Sequence, residues 1–169
     1  EELTLVRSFG ALAATLVASM GLPTSAFGAV VNAMTQAKRP SVIWLQFQEC
    51  TGCTESLLRA DHPTLEKLIL ELISLDYHET LAAAAGHQVE AARRAAMEAN
   101  KGKYILVVEG AIPVKDDGIY CKIGGRTAID LVKEAAADAA PVISIGSCAS
   151  WGGMPSTSPN PTGASSVAT

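Results

Sequence analysis

The sequence predicts an α/β fold in which a parallel sheet is covered by helices on both faces. Two observations support this class. The β-rich segments are continuous apolar runs, as expected of parallel strands whose two faces are both buried. Segments with a helical spacing of apolar residues lie between these runs, as in βαβ units. The predicted strands are residues 41–47, 73–77, 103–109 and 141–145.

Helices are predicted between these strands. Between the first two strands, His62 and Pro63 separate two helices, and Leu65, Leu68 and Leu72 have the spacing of one helix face. Clusters of glycine, proline and aspartate mark the loops. The predicted helices are residues 51–60, 64–73, 79–100 and 126–137, and the predicted loops are residues 111–125 and the chain after Gly146.

The composition is that of one globular domain with a sizeable core. The 169 residues are 49% hydrophobic and 18% charged, with a formal net charge of −4. No basic cluster is longer than a pair, so we expect no nucleic-acid partner. The aromatic content of 5% also argues against base stacking.

The first 38 residues differ from the rest of the chain. No charged residue lies between Arg7 and Lys38, and the most apolar part, residues 9–22, is shorter than the ~20 residues of a membrane-spanning helix. Arg7, this apolar stretch and the small residues that follow predict an export signal. The twin-arginine pattern is degenerate, because Val6 replaces its first arginine. We expect a leader over residues 1–38, the alternative being a packed alanine-rich helix, and a folded domain over residues 39–169.

Three of the four cysteines follow predicted strands. Cys50 and Cys53 form a CxxC pair after the first strand, and Cys148 follows the last one. Because ligands of open parallel sheets lie beyond the carboxyl ends of the strands, we expect these thiols to form one site. The N-terminus of the helix after Cys50 is expected to stabilise thiolates. Such a set of thiolates favours an iron–sulfur cluster.

Other chemistry is compatible with a CxxC pair alone. A redox disulfide would not need Cys148, and a structural zinc site would need a fourth ligand. Buried, unreactive thiols are the remaining alternative. The candidates for a fourth zinc ligand are Cys121, His62, His78 and His87.

Seven segments, taken in order, resemble the N-terminal domain of the small, electron-transferring subunit of nickel–iron hydrogenases. The resemblance runs from about Arg39 to the end and implies a flavodoxin-like domain, in agreement with the predicted sheet. The segments are 49–56 (ECTGCTES), 74–79 (SLDYHE), 83–87 (AAAGH), 107–110 (VVEG), 117–120 (DGIY), 146–149 (GSCA) and 159–163 (PNPTG).

This resemblance implies a specific set of cofactors. Cys50, Cys53 and Cys148 match three of the four ligands of the [4Fe–4S] cluster nearest the nickel–iron centre. The fourth family ligand lies in a Gly-Cys-Pro-Pro segment downstream of residue 169, and further iron–sulfur clusters belong to a C-terminal domain that this chain does not contain. Cys121 matches no ligand and is expected to be a buried structural thiol.

The resemblance also implies an activity and partners. A hydrogenase large subunit carries the nickel–iron centre and splits hydrogen heterolytically, so no catalytic residue is assigned to this chain. The small subunit passes electrons one at a time to a membrane or soluble acceptor. The exported members imply a location on the periplasmic side, associated with the membrane. An iron–sulfur subunit of the quinone-reductase type and a CxxC redox or zinc module remain as alternatives.

Two glycines and three glutamates bear on details of the predicted site. Oxygen-tolerant relatives carry two additional cysteines where this chain has Gly52 and Gly153, which implies an ordinary four-thiolate centre and sensitivity to oxygen. Glu49, Glu55 and Glu109 lie beside the site and are candidates for proton handling, for binding the large subunit, or for simple capping.

Overall fold

The structure, a computed structural model, describes residues 23–28 and 39–169. The chain divides into two units between Lys38 and Arg39. Of the first unit, the described part is a short 3₁₀ turn at Thr24–Ala26, so the predicted leader lies largely outside the described residues. Among the residues that are described, no helix is both long enough and apolar enough to cross a membrane.

Four parallel strands form the central sheet of the second unit. They run in the spatial order β2-β1-β3-β7, which is the 2-1-3-4 order of flavodoxin-like folds. The predicted class, a flavodoxin-like α/β fold, is therefore confirmed. The strands are β1 (Ser41–Gln46), β2 (Ser74–His78), β3 (Ile105–Glu109) and β7 (Val142–Ile145).

Helices and two small antiparallel ribbons complete this unit. One ribbon pairs β4 (Ile112–Pro113) with β8 (Ala164–Ser165), and the other pairs β5 (Lys122–Ile123) with β6 (Arg126–Thr127). The helices are α1 (Gly52–Leu58), α2 (Leu65–Lys67, continued by a π-helical turn over Leu68–Leu72), α3 (Gly86–Ala99), α4 (Ala128–Ala137) and α5 (Gly146–Trp151).

Both faces of the central strands β1 and β3 are covered, which explains their continuous apolar runs. Ile43 and Leu45 of β1 pack in one cluster with Leu131 of α4. Their neighbours Val42 and Trp44 point to the opposite face and belong to a second cluster. Alternate residues of a strand point to opposite faces, so β1 must be apolar at nearly every position. Each large apolar side chain buried in this way contributes about 1.5–3 kcal/mol.

Two predicted elements are corrected. The helix predicted from residue 79 begins only at Gly86, whose φ of +58° interrupts a regular helix. Thr80 does not join this helix, because its N–H and Oγ1 donate to Oε1 of Gln46 on β1, at 3.1 and 2.8 Å. The chain after Gly146 was predicted to be loop-like, but it begins with α5, which carries Cys148 and ends at Gly152 with φ of +97°.

Candidate functional site

The carboxyl ends of β1 and β7 bring three predicted site cysteines together. Cys53 lies on the first turn of α1, which follows Cys50, and Cys148 lies on the first turn of α5. Sγ of Cys53 is 3.8 Å from the carbonyl oxygen of Ile145, the last residue of β7. All four cysteines are free thiols. The structure thus places these thiols at one edge of the sheet, and their role as ligands remains a prediction.

A glycine lies beside each of these three sulfurs. A Cβ on Gly52 would stand 3.0 Å from Sγ of Cys50, and one on Gly153 would stand 2.8 Å from Sγ of Cys148. A Cβ on Gly146 would collide with Sγ of Cys53. A glycine backbone therefore lies close to every sulfur of the site. An inorganic group bound between the CxxC segment and the Cys148 segment needs such close approach, which a side chain would block.

The thiols do not suit a single metal ion. In the described part of the chain, no three Cys, His, Asp or Glu side chains are arranged to hold one ion. The predicted fourth zinc ligands are therefore not brought to the CxxC pair. A tetrahedral zinc ion needs four ligand atoms, each within about 2.3 Å of it. A cluster places one thiolate on each iron, so its ligands stand farther apart than the ligands of a single ion.

The site concentrates negative charge. Burial raises the pKa of the Cys53 thiol, and the charges of Glu109, Cys50, Cys148 and Glu49 raise it further. Burial and the charge of Glu109 likewise raise the pKa of Glu49. A hydrogen bond that Thr51 donates at 3.2 Å lowers this pKa but does not outweigh them. The stabilisation of thiolates by the helix N-terminus stays a prediction. The negative charges gathered here favour a positively charged occupant, such as iron.

A buried carboxylate at the end of β3 organises the cysteine turn. Glu109 is 1% exposed, and its Oε1 accepts hydrogen bonds from the backbone N–H of Cys53 and of Thr54 at 3.1 and 3.2 Å. Its Oε2 accepts from Oγ1 of Thr54 at 2.6 Å and from Nε1 of Trp44 at 3.1 Å. Glu109 therefore joins three parts of the fold: β1, β3 and α1.

His78 extends this network into the core. Its Nε2 is 3.1 Å from Oγ1 of Thr54, whose hydrogen is already donated to Glu109. The hydroxyl oxygen therefore accepts from His78, which assigns the proton to Nε2. The pKa of His78 is lowered by burial, although the charge of Glu109 opposes this. The structure makes His78 a core hydrogen-bonding residue, whereas His87 is exposed.

The interactions of Cys121 and Glu55 are with residues other than the three site cysteines. Cys121 is half-buried, burial raises its pKa, and it packs against the main core cluster. It lines a cavity of about 310 Å³ together with Glu49, Glu79 and four other residues. Glu55 forms an exposed ion pair with Arg59 at 3.6 Å. Such a pair is worth little for stability.

Sequence reasoning did not single out Trp44, Thr54 or Gln46. Their signal was the position of polar groups in otherwise apolar surroundings: Gln46 ends a buried strand, and Thr54 is fully buried on α1. Buried polar groups almost always have partners, so these residues point to a network. The identity of the partner, Glu109, became visible only in the tertiary structure.

A known family model matches the part of the chain that carries the candidate site. The model described as NADH ubiquinone oxidoreductase, 20 Kd subunit, matches residues 50–169. This chain belongs to that family. The matched range begins at Cys50 and includes Cys53, Glu109 and Cys148. Within this 20 Kd subunit family, the chain's similarities lie with hydrogenases.

Curated relatives support this placement. The chain is 54% identical over 161 residues to the Hydrogenase-2 small chain of Escherichia coli strain K12, covering 95% of this chain and 43% of that protein. It is 46% identical to the Periplasmic [NiFe] hydrogenase small subunit 1 of Nitratidesulfovibrio vulgaris, covering 94% of this chain and 50% of that protein. The chain thus spans about half the length of these relatives or less. The resemblance to hydrogenase small subunits is confirmed.

Solved structures agree with the same reading. The [NiFeSe] hydrogenase of Desulfovibrio vulgaris Hildenborough superposes with a TM-score of 0.76 at 40% identity, over 79% of this chain and 49% of that chain. The NiFe-hydrogenase of Ralstonia eutropha H16 gives a TM-score of 0.67 at 25% identity, over 81% and 46% of the two chains. The family fold is therefore shared across most of the chain.

Proposed function

We propose that this chain is the cluster-binding N-terminal part of the small subunit of a nickel–iron hydrogenase, an oxidoreductase that passes on the electrons of H₂ oxidation. The observation that carries the proposal is the meeting of Cys50, Cys53 and Cys148 at one sheet edge, with a glycine against each sulfur. The hydrogenase names of relatives that cover 95% and 94% of the chain support it.

In this proposal the three cysteines bind three irons of a proximal [4Fe–4S] cluster, and the fourth thiolate comes from chain downstream of residue 169. The cluster supplies one-electron transfer when it is bound. The chain's own contribution is to fix the thiolates and to exclude water on the side of the sheet. Glu109 and Thr54 hold the turn of Cys53, while Gly146 and Gly153 leave room for close approach of the backbone.

The partner is a large subunit that carries the nickel–iron centre. Two large apolar side chains beside Cys148 support a protein interface here: Trp151 is 67% exposed and Met154 is 84% exposed. Tryptophan and methionine are enriched at protein–protein interfaces relative to the rest of the surface. Electrons would leave the small subunit through further clusters of a C-terminal domain to a membrane or soluble acceptor.

We also propose that the protein is exported in folded form to the periplasmic side and associates with the membrane there. The support is the leader-like composition of residues 1–38 and the name of one relative, which is called periplasmic. The leader and the folded domain would meet at the boundary between Lys38 and Arg39.

A second candidate is the iron–sulfur subunit of a quinone reductase, and the description of the matching family favours it. It would use the same three thiolates but would have no nickel partner. Nickel in the co-purifying subunit and H₂-dependent dye reduction distinguish the first candidate from the second, which would reduce or oxidise quinone instead.

The test is metal analysis of the natural full-length protein, purified anaerobically with its co-purifying subunit. We expect iron and acid-labile sulfide in near-equal amounts, nickel in the partner, and loss of about four irons per molecule in Cys148→Ser. Cys121→Ser is the matched control and should keep all of its iron. Zinc without sulfide, or no metal with a reversible disulfide between Cys50 and Cys53, would refute the proposal.

A further inference from the structure

The turn that carries Cys53 is anchored by a side chain from the sheet. Thr51, the N-cap residue of α1, makes no capping hydrogen bond with its side chain. The first-turn N–H groups of Cys53 and Thr54 donate instead to Oε1 of Glu109. Glu109 ends β3, the strand between β1 and β7. Since β1 and β7 lead to the two cysteine segments, Glu109 stands between them.

The four hydrogen bonds to Glu109 indicate an ionised carboxylate. Two N–H groups donate to Oε1, and the Trp44 indole and the Thr54 hydroxyl donate to Oε2. An ionised carboxylate only accepts, so it satisfies all four donors, whereas a protonated one would need an acceptor for its own hydrogen. All four donors are neutral groups, so they leave the negative charge uncompensated. The carboxylate accepts a hydrogen bond from the backbone N–H of Cys53, the residue that carries the thiol.

We propose that Glu109 is a positioning residue that sets the reduction potential of the iron–sulfur cluster, holding it lower than the three thiolates alone would. This inference rests on the proposed function. A fixed negative charge nearby disfavours the added electron of the reduced cluster. In addition, N–H groups that donate to cluster sulfurs raise the potential, and Glu109 occupies those of Cys53 and Thr54. Both effects lower the reduction potential of the cluster.

The test is a potentiometric titration of the cluster, followed by electron paramagnetic resonance, in the full-length protein with its natural partner. Glu109→Gln keeps the size of the side chain and an acceptor for the turn but removes the charge. We expect its midpoint to shift to a more positive potential. Glu90→Gln is the matched control, because Glu90 is also buried, at 6% exposure, but its bonds go to Tyr77 and Arg93. Its midpoint should not move.

A second variant keeps the test decisive if Glu109→Gln folds poorly. The new amide would face the Nε1–H of Trp44, so Trp44→Phe is combined with it to remove the opposed donor. An unchanged midpoint at full iron content, in either variant, overturns the inference. Loss of the cluster from both variants, with Glu90→Gln intact, would limit Glu109 to assembly and also overturn it. Absence of iron and sulfide from the unmodified protein would instead refute the proposed function itself.

Discussion

Sγ of Cys53 lies 3.8 Å from the carbonyl oxygen of Ile145, although 92 residues separate them in the chain. The first turn of α1 therefore touches the end of β7, and the next residue, Gly146, has no side chain that would keep them apart. This contact joins the CxxC segment to the segment of Cys148. This contact depends on the absence of a side chain at Gly146, so a substitution at that position tests it directly.

Gly146→Ala should displace the thiol of Cys53. The new Cβ would collide with Sγ, and φ of +76° is also unfavourable for alanine. We expect loss of most of the iron from the purified protein, measured by metal analysis. Gly125→Ala is the matched control: its φ is +81°, but nothing lies within 4 Å of the added Cβ. It carries the same backbone cost, about 1–2 kcal/mol, and should keep its iron. Equal iron loss in both variants would contradict a steric role.

Thr54→Val should destabilise the fold around the site. The variant keeps the volume but removes the hydroxyl that donates to Glu109 at 2.6 Å and accepts from His78. Gln46 also donates to this hydroxyl, at 3.4 Å, so three buried partners would lose a hydrogen bond. We therefore expect a loss of about 1–3 kcal/mol in the free energy of unfolding. Thr54→Ser keeps the hydroxyl and should lose much less. Denaturant unfolding of the three proteins compares them, and a serine variant as unstable as the valine variant would show that packing, not the hydroxyl, matters.

The ion pairs around Arg93 should make the free energy of unfolding decrease at acid pH. The Arg93 side chain is fully buried, 2.9 Å from Glu134, which Arg126 also contacts at 2.7 Å. Burial raises the pKa of Glu134, but hydrogen bonds from the two arginines outweigh burial and hold this pKa below its ordinary value of 4.5. A lowered carboxyl pKa gives stability that is present above the unfolded-state value and is lost as pH falls through the folded-state value.

Glu134→Gln should therefore be less stable than the unmodified protein near neutral pH. As pH falls below 4.5, the unmodified protein loses the charge of Glu134 and the difference should narrow. Thermal unfolding midpoints measured from pH 7 to pH 3 would follow this difference. A difference that stays constant over the whole range would mean that the charge of Glu134 contributes nothing.

Gly153 bears on the prediction of oxygen sensitivity. A Cβ at this position would stand 2.8 Å from the backbone N, Cα and Sγ of Cys148, and its φ is +51°. A cysteine at this position would need the backbone to shift, which supports the prediction of an ordinary four-thiolate centre. We expect the complex to lose its hydrogen-oxidising activity in air. Full activity after prolonged exposure to air would contradict this, with an anaerobic sample as the reference.

The sheet was predictable because its signal is local and repeated. All four parallel strands coincide with predicted segments. The central strands β1 and β3 are buried on both faces, which requires an apolar residue at nearly every position, whereas the edge strands β2 and β7 are only partly buried. The start of α3 was not predictable in the same way. Residues 79–85 are rich in alanine, but Thr80 bonds to Gln46, a partner that is distant in sequence. The helix over Gly146–Trp151 was also missed, because its glycine and two serines indicate a loop.

The sequence by itself determined the class of fold and predicted that three cysteines meet at one sheet edge. Apolar periodicity and residue order are sufficient for both, because parallel strands place their carboxyl ends at one edge. The tertiary structure decided which polar groups serve those cysteines. Glu109 is 56 residues from Cys53, and nothing local distinguishes it from an ordinary acidic residue at a strand end. Its burial and its four donors exist only once β1, β3 and α1 are packed, since hydrogen bonds between distant residues depend on their separation in space, not in sequence.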